Sequence, residues 1–157
     1  MATFISHSPA ETAALGEQWG RVAECGLVIG LCGDLGAGKT QLVKGLARGL
    51  GIAERVHSPT FALVNIYNGG RLTLFHLDLY RLDTREQIVA AGLEEYLKPV
   101  GVAVIEWAER WFGEVQSPES KGQSLHAVTQ PACPFRLVRL EVSNELERRI
   151  TYEDSGT

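Results

Sequence analysis

The sequence predicts an α/β domain of three layers: helices on both faces of a mixed, mostly parallel sheet, with an antiparallel hairpin added. Three observations carry that expectation. Two short, almost wholly apolar runs, 26–32 (GLVIGLC) and 102–105 (VAVI), have the composition of strands covered on both faces. The first passes through a glycine-rich turn into an amphipathic stretch, the strand–turn–helix order of an α/β unit. Two β-rich runs, 61–67 and 72–79, are joined by Asn68-Gly69-Gly70, which signals a hairpin.

The elements follow in order. Ser8-Pro9-Ala10-Glu11 opens a helix with a hydroxyl for the N-cap, proline in the first turn and a glutamate three residues after the serine. Thr12, Leu15, Trp19 and Val22 recur at helical spacing and give it an apolar stripe. After the strand at 26–32, Leu42, Val43, Leu46, Ala47 and Leu50 mark a second helix, which Gly49 and Gly51 stop. Ser58-Pro59-Thr60 is a loop, because the residue before a proline is pushed out of helical geometry. Beyond the hairpin, Asp83-Thr84-Arg85-Glu86 reads as another capping box, starting a helix with Ile88, Val89, Leu93, Tyr96 and Leu97 on one face. The strand 102–105 runs straight into Glu106 and Trp107. Residues 113–134 are rich in Ser, Gln, Pro and Gly without a sustained period, and read as a long polar loop inserted in the domain. Residues 135–142 and 148–152 then close as an antiparallel pair around Asn144. The expectation is a single domain over 1–157.

The totals bound the function. The apolar fraction of 45% and charged fraction of 22% in 157 residues suit one globular core. A formal charge of −4 argues against tight direct binding of RNA or DNA, whose affinity comes mostly from cation–phosphate contacts. No positive cluster followed by an apolar run occurs in 1–19, and 26–32 is too short to span a bilayer, so no secretory signal or membrane span is expected. Three cysteines, Cys25, Cys32 and Cys133, form no C-x-x-C pair and read as buried thiols in a reducing cytoplasm.

The chemistry centres on Gly33-Asp34-Leu35-Gly36-Ala37-Gly38-Lys39-Thr40, a G-x-x-x-x-G-K-[ST] phosphate loop placed between a buried strand and a helix. Glycines let the backbone wrap around phosphates with its N–H groups turned inward, and the helix aims the positive end of its dipole at the same anion. Loop residues 34–38 together with Lys39, Thr40 and Gln41 are therefore the candidate binding segment. Lys39 is suited to the β and γ phosphates of a nucleoside triphosphate, and the Thr40 hydroxyl to Mg²⁺. Two acids at strand ends, Asp78 and Glu106, are candidates for holding the metal or placing water, since ligands bind outside the carboxyl ends of strands in open α/β sheets. If Asp78 lies on an antiparallel strand, that rule applies to it less directly. Thr60 occupies the chain position of a γ-phosphate-sensing switch loop. Trp107 could flank the nucleotide or belong to the core, and His57 and His76 read as structural. The fold expectation thereby sharpens to a P-loop NTPase domain binding a nucleoside triphosphate with Mg²⁺.

Five stretches together resemble the TsaE family, the small P-loop ATPases of bacterial tRNA threonylcarbamoyladenosine biosynthesis: GDLGAGKT (33–40), SPTF (58–61), HLDLYRL (76–82), GLEEYL (92–97) and VIEWAER (104–110). They occur in the family's order, and 136–152 is similar to its last strands more loosely. The resemblance implies weak ATP hydrolysis, the TsaB–TsaD pair as partner, and contact with tRNA only through that pair. It also implies that Lys39 and Thr40 hold phosphate and Mg²⁺, that Glu106 helps hold the metal, and that Asp78 acts nearby through water. Thr60 would belong to a mobile loop and Trp107 would lie beside the site; Tyr80 and Arg81 are candidates for partner or phosphate contact. The polar insertion departs from the family pattern.

Other readings of a P-loop remain. A small kinase needs an acceptor pocket and an arginine-bearing lid, and residues 113–134 carry one lysine and no arginine. A GTPase would need an N-K-x-D segment, which is missing. A nucleotide-dependent binding module with negligible turnover is closest to the preferred reading.

Overall fold

The computed structural model describes residues 2–34, 36–59, 62–112 and 134–155. Leu35, Thr60 and all but the last residue of the expected insertion 113–134 lie outside them. Seven strands, β1 (Ala2–Ser6), β2 (Val28–Cys32), β3 (Val64–Tyr67), β4 (Leu74–Asp78), β5 (Val102–Glu106), β6 (Phe135–Val142) and β7 (Arg148–Ser155), form one sheet in the order β1-β7-β6-β2-β5-β4-β3. The four central strands, β6-β2-β5-β4, are parallel neighbours. The expected hairpin is β3–β4, and the expected closing pair is β6–β7.

Two differences from the sequence reading concern the edges. β1 was not anticipated; it pairs antiparallel with β7, so antiparallel ladders equal the parallel ones and the sheet is more evenly mixed than mostly parallel. Its burial alternates from Thr3 to Ser6, but the residue types do not follow it: Ile5 faces out and Ser6 faces in, so the sequence shows no apolar period. The second difference lies after the hairpin. Instead of one long helix, α3 (Arg85–Ala90) ends, and a 3-10 helix (Leu93–Leu97) follows. Gly92, at φ +78°, takes the left-handed conformation that terminates a helix, so Ile88 and Leu93 stay buried while Val89 turns to solvent. The capping box is also shifted by one residue: Gln87 N donates to Thr84 Oγ1 at 3.2 Å, and Asp83 N to Gln87 Oε1 at 2.7 Å.

Helices α1 (Pro9–Val22) and α2 (Lys39–Gly49) cover one face of the sheet. α3, the 3-10 helix and α4 (Glu109–Phe112) cover the other. α1 begins as expected, with Glu11 N donating to Ser8 Oγ at 3.1 Å. α1 and α2 pack backbone to backbone: a Cβ on Gly45 would stand 1.8 Å from the Ala13 carbonyl oxygen. Of the cysteines, Cys32 is buried but Cys25 is exposed, since it lies beyond the end of α1 rather than inside a strand. Among the described residues no helix is long and apolar enough to cross a membrane.

Strand alternation then selects what faces α2. On β5 and β4 the residues Val102, Val104, Leu74 join the core under α1 and α2, while Ala103, Ile105 and Leu77 join the opposite core. The next positions with the α2-facing parity are His76 and Asp78 on β4 and Glu106 on β5.

Candidate functional site

The loop 33–38 joins β2 to α2 at the carboxyl edge of the parallel strands. Gly36 and Gly38 both have left-handed φ, +80° and +99°, which a side chain would strain. Gly38 is the N-cap of α2 and supplies no side-chain hydrogen bond, and the first turn of α2 carries no acid. The first amides of this helix are therefore left for an anion to satisfy, with the helix dipole in its favour.

Lys39 is 5% exposed, and its Nζ donates to the carbonyl oxygens of Gly33 and Asp34, the latter at 3.0 Å. The Trp107 ring lies over the same ammonium, 4.0 Å from Nζ to centroid, and Tyr80 packs on Trp107 at 5.0 Å. Burial holds the Lys39 pKa below the ordinary lysine value, opposed by the carboxylates of Glu106, Glu109, Asp78 and Asp34. Trp107 reaches this position through a left-handed backbone, φ +60°, a conformation costing a non-glycine residue about 1–2 kcal/mol. Ala108 N, donating to Leu31 O at 3.1 Å, ties the turn to β2.

The parallel register sets Asp78 opposite Glu106, so both acids stand at the same carboxyl edge. β4 pairs with β3 on one side and β5 on the other, and the strand-end rule applies to Asp78 after all. Asp78 is 4% exposed; its Oδ1 accepts from Tyr80 N at 2.9 Å and its Oδ2 from Ser58 Oγ at 3.1 Å. Glu106 is 3% exposed: Thr40 Oγ1 donates to its Oε1 at 3.4 Å, and His76 Nε2 to its Oε2 at 2.5 Å.

These side chains meet in one cleft of about 410 Å³, lined by residues 36–41, Ser58, Asp78, Tyr80, Glu106 and Trp107. That is a size suited to a small-molecule ligand. Of the residues expected at the site, Asp34 contributes its carbonyl oxygen to Lys39, while its side chain is exposed and outside the lining. Arg81 is exposed and likewise outside it. His57 is exposed, with its backbone N donating to Tyr67 Oη at 3.3 Å. His76, read from the sequence as structural, is fully buried and outside the cleft lining, and it touches the site through Glu106. It lies two positions before Asp78 on one strand, which was the available signal, but its bond to Glu106 joins residues 30 apart in the chain.

The donor set fits Mg²⁺. Neighbouring oxygen ligands around this ion stand about 3 Å apart, and Thr40 Oγ1 and Glu106 Oε1 are separated by 3.4 Å. Among the described residues no group of three or more His, Cys, Asp and Glu is placed to hold a metal by itself.

Comparison with known proteins settles the family. A model of the family described as threonylcarbamoyl adenosine biosynthesis protein TsaE matches residues 6–132. The chain belongs to the TsaE family. The tRNA threonylcarbamoyladenosine biosynthesis protein TsaE of Treponema pallidum is 50% identical over 111 residues, covering 71% of this chain and 82% of the relative. Its counterpart in Bacillus subtilis is 43% identical over 116 residues, covering 74% and 71%. The crystal structure of Bacillus subtilis YdiB superposes with a TM-score of 0.73 at 31% identity, over 99% of this chain and 86% of that one. The TsaE family role in tRNA threonylcarbamoyladenosine biosynthesis thus accompanies an α/β fold of the P-loop kind.

Proposed function

We propose that this chain binds ATP with Mg²⁺ in the cleft beneath α2, hydrolyses it slowly, and thereby supports tRNA threonylcarbamoyladenosine formation by a TsaB–TsaD pair. The observation that carries the reading is the uncapped, glycine-flanked start of α2, with Lys39, Thr40, Asp78 and Glu106 gathered in the same cleft. An anion arriving there competes with the Gly33 and Asp34 carbonyls for the Lys39 ammonium, and a triphosphate offers charge where those carbonyls offer only dipoles. Lys39 and the loop amides then hold the β and γ phosphates. Thr40 and Glu106 would hold Mg²⁺, whose chemistry is to neutralise charge on the phosphate oxygens.

Hydrolysis needs water placed in line with the β–γ bridge. Asp78, fixed by Tyr80 N and Ser58, is the acid positioned to orient it. As water attacks the γ phosphorus, the bond to the β-bridging oxygen breaks, ADP leaves, and the proton departs with phosphate. Among the described residues lining the cleft there is no arginine, so basal turnover is slow. Supplying an arginine raises GTPase rates by about 10³–10⁵. Acceleration by a partner is therefore physically reasonable, and the acidic net charge suits a protein that meets tRNA through partners.

The test is phosphate release from Mg·ATP with and without a TsaB–TsaD pair. Slow release that changes when the pair is added supports the proposal. Bound ATP with no association and no change in rate would remove the partner assignment and leave only the nucleotide site.

A further inference from the structure

His76 has no part in the proposed chemistry, yet it is fully buried in the middle of β4. Its sheet neighbours in register are Asn65 on β3 and Val104 on β5, and the layer above it contains Leu74, Val102 and Val104. An imidazole placed among such residues gives up its hydration, and it would normally recover that loss by using both ring nitrogens. Here only one is used. Nδ1 has no hydrogen-bond partner among the described residues. Nε2 lies 2.5 Å from Glu106 Oε2, a short contact of the charge-assisted kind. With a carboxylate as acceptor, Nε2 carries the hydrogen and donates it. An apolar side chain would fill this position without an orphaned nitrogen, so packing does not account for the histidine.

We infer that His76 is a positioning residue for Glu106: by occupying Oε2 from inside the sheet, it fixes the carboxylate so that Oε1 faces Thr40 and the cleft. Three torsions separate a glutamate carboxylate from its backbone, and the last of them is intrinsically broad. The parallel register puts His76 opposite Val104, one same-face step behind Glu106, so the bond runs diagonally across the β4–β5 ladder between two rigid strands. Thr40, in the first turn of α2, faces Oε1 from the other side. The carboxylate is thus gripped between the sheet and the phosphate-loop helix, and one oxygen is left for a divalent cation. The inference rests on the nucleotide reading above and deepens it, assigning the cation requirement of the site to a residue outside the cleft lining.

The test compares His76→Gln, His76→Asn and His76→Leu. A glutamine amide nitrogen reaches the place of Nε2 and keeps the donor; asparagine reaches only the place of Nδ1, and leucine has none. Affinity for ATP is measured by calorimetry without divalent ions and then across a Mg²⁺ titration. His76→Asn and His76→Leu are expected to need about 10-fold or more Mg²⁺ for the same enhancement of binding, the loss typical when a ligand's outer partner is removed. Their Mg²⁺-free affinity should stay within about 2-fold of the parent, because the loop amides and Lys39 are untouched. His76→Gln should retain the parent's Mg²⁺ requirement. If His76→Leu does not fold, the Gln–Asn contrast decides alone. A parent protein that binds Mg·ATP while all folded variants share its Mg²⁺ requirement overturns this inference only, as does a His76→Gln no better than His76→Asn. A parent protein that binds no ATP overturns the nucleotide reading and this inference with it.

Discussion

Gly45 lies where α2 crosses α1 most closely, and replacing it with alanine tests whether that crossing sets the position of the phosphate loop. In an exposed helix the substitution would stabilise by about 1 kcal/mol, since alanine is the better helix former. Here the new Cβ would stand 1.8 Å from the Ala13 carbonyl oxygen and 2.6 Å from its carbon, both backbone atoms that no rotamer change can move. Relief requires the helices to part by more than about 1 Å, and a gap of about 0.5–1 Å already forfeits about a quarter to a half of each dispersion contact across it. The contacts at stake belong to Leu15, Trp19, Leu42 and Leu46, all at most 6% exposed. Overpacking of this type costs about 1–3 kcal/mol, and the backbone clash puts Gly45→Ala at the upper end. Against the propensity gain, a net loss of about 2 kcal/mol follows, or about 4–8 °C in Tm for a chain of this size. Thermal unfolding by circular dichroism reads it. Because α2 begins at Lys39, ATP affinity should fall with stability. A Tm equal to or above that of the parent would refute the close-packed interface.

Further outcomes follow from the site. Burial lowers the Lys39 pKa, while bound triphosphate favours the charged amine, so ATP affinity should fall as pH rises through that lowered value, below the range of a free lysine; Lys39→Met should lack this alkaline limb in a fluorescence titration. The sign for the free protein is opposite: a folded value below the unfolded one means the charged amine costs stability at neutral pH, and that cost is relieved as pH rises between the two values. Glu106→Gln keeps the shape but removes the charge, and should reduce Mg²⁺-dependent phosphate release by about 10- to 100-fold while leaving Mg²⁺-free ATP binding intact. In a Cys133→Ser background, Cys25 should react quickly with a maleimide, whereas Cys32, buried and with its thiol pKa pushed up by desolvation and by Glu109, should react only on unfolding; mass spectrometry distinguishes the two.

Those features that depend on local sequence were legible in it. The phosphate loop announces itself because glycine, lysine and threonine must stand at fixed spacing, and the flanking strand and helix follow from apolar periodicity. Glu106 and Asp78 could be named because each ends an apolar run, and a strand end is a local property. Features that depend on pairing were not legible. β1 shows no apolar period because its inward positions include Ser6 and its outward ones Ile5, and its existence depends on β7, nearly 150 residues away. The break at Gly92 was hidden by apolar residues that continue beyond it at helical spacing. The bond from His76 to Glu106 depends on which side chain β5 places diagonally opposite, which no local pattern shows. The stacking of Trp107 over Lys39 depends on a left-handed turn that tryptophan rarely takes. Thr60 and Leu35 lie outside the described residues, so their expected places in the switch loop and phosphate loop rest on the sequence.

The central claim is that the start of α2 holds a triphosphate with Mg²⁺, and equilibrium titration of ATP into the protein tests it most directly. The account predicts saturable one-to-one binding that Mg²⁺ strengthens and that Lys39→Ala weakens by about 10²-fold, the value of a charged hydrogen bond to phosphate. No binding by the parent protein, or undiminished affinity in Lys39→Ala, would contradict it.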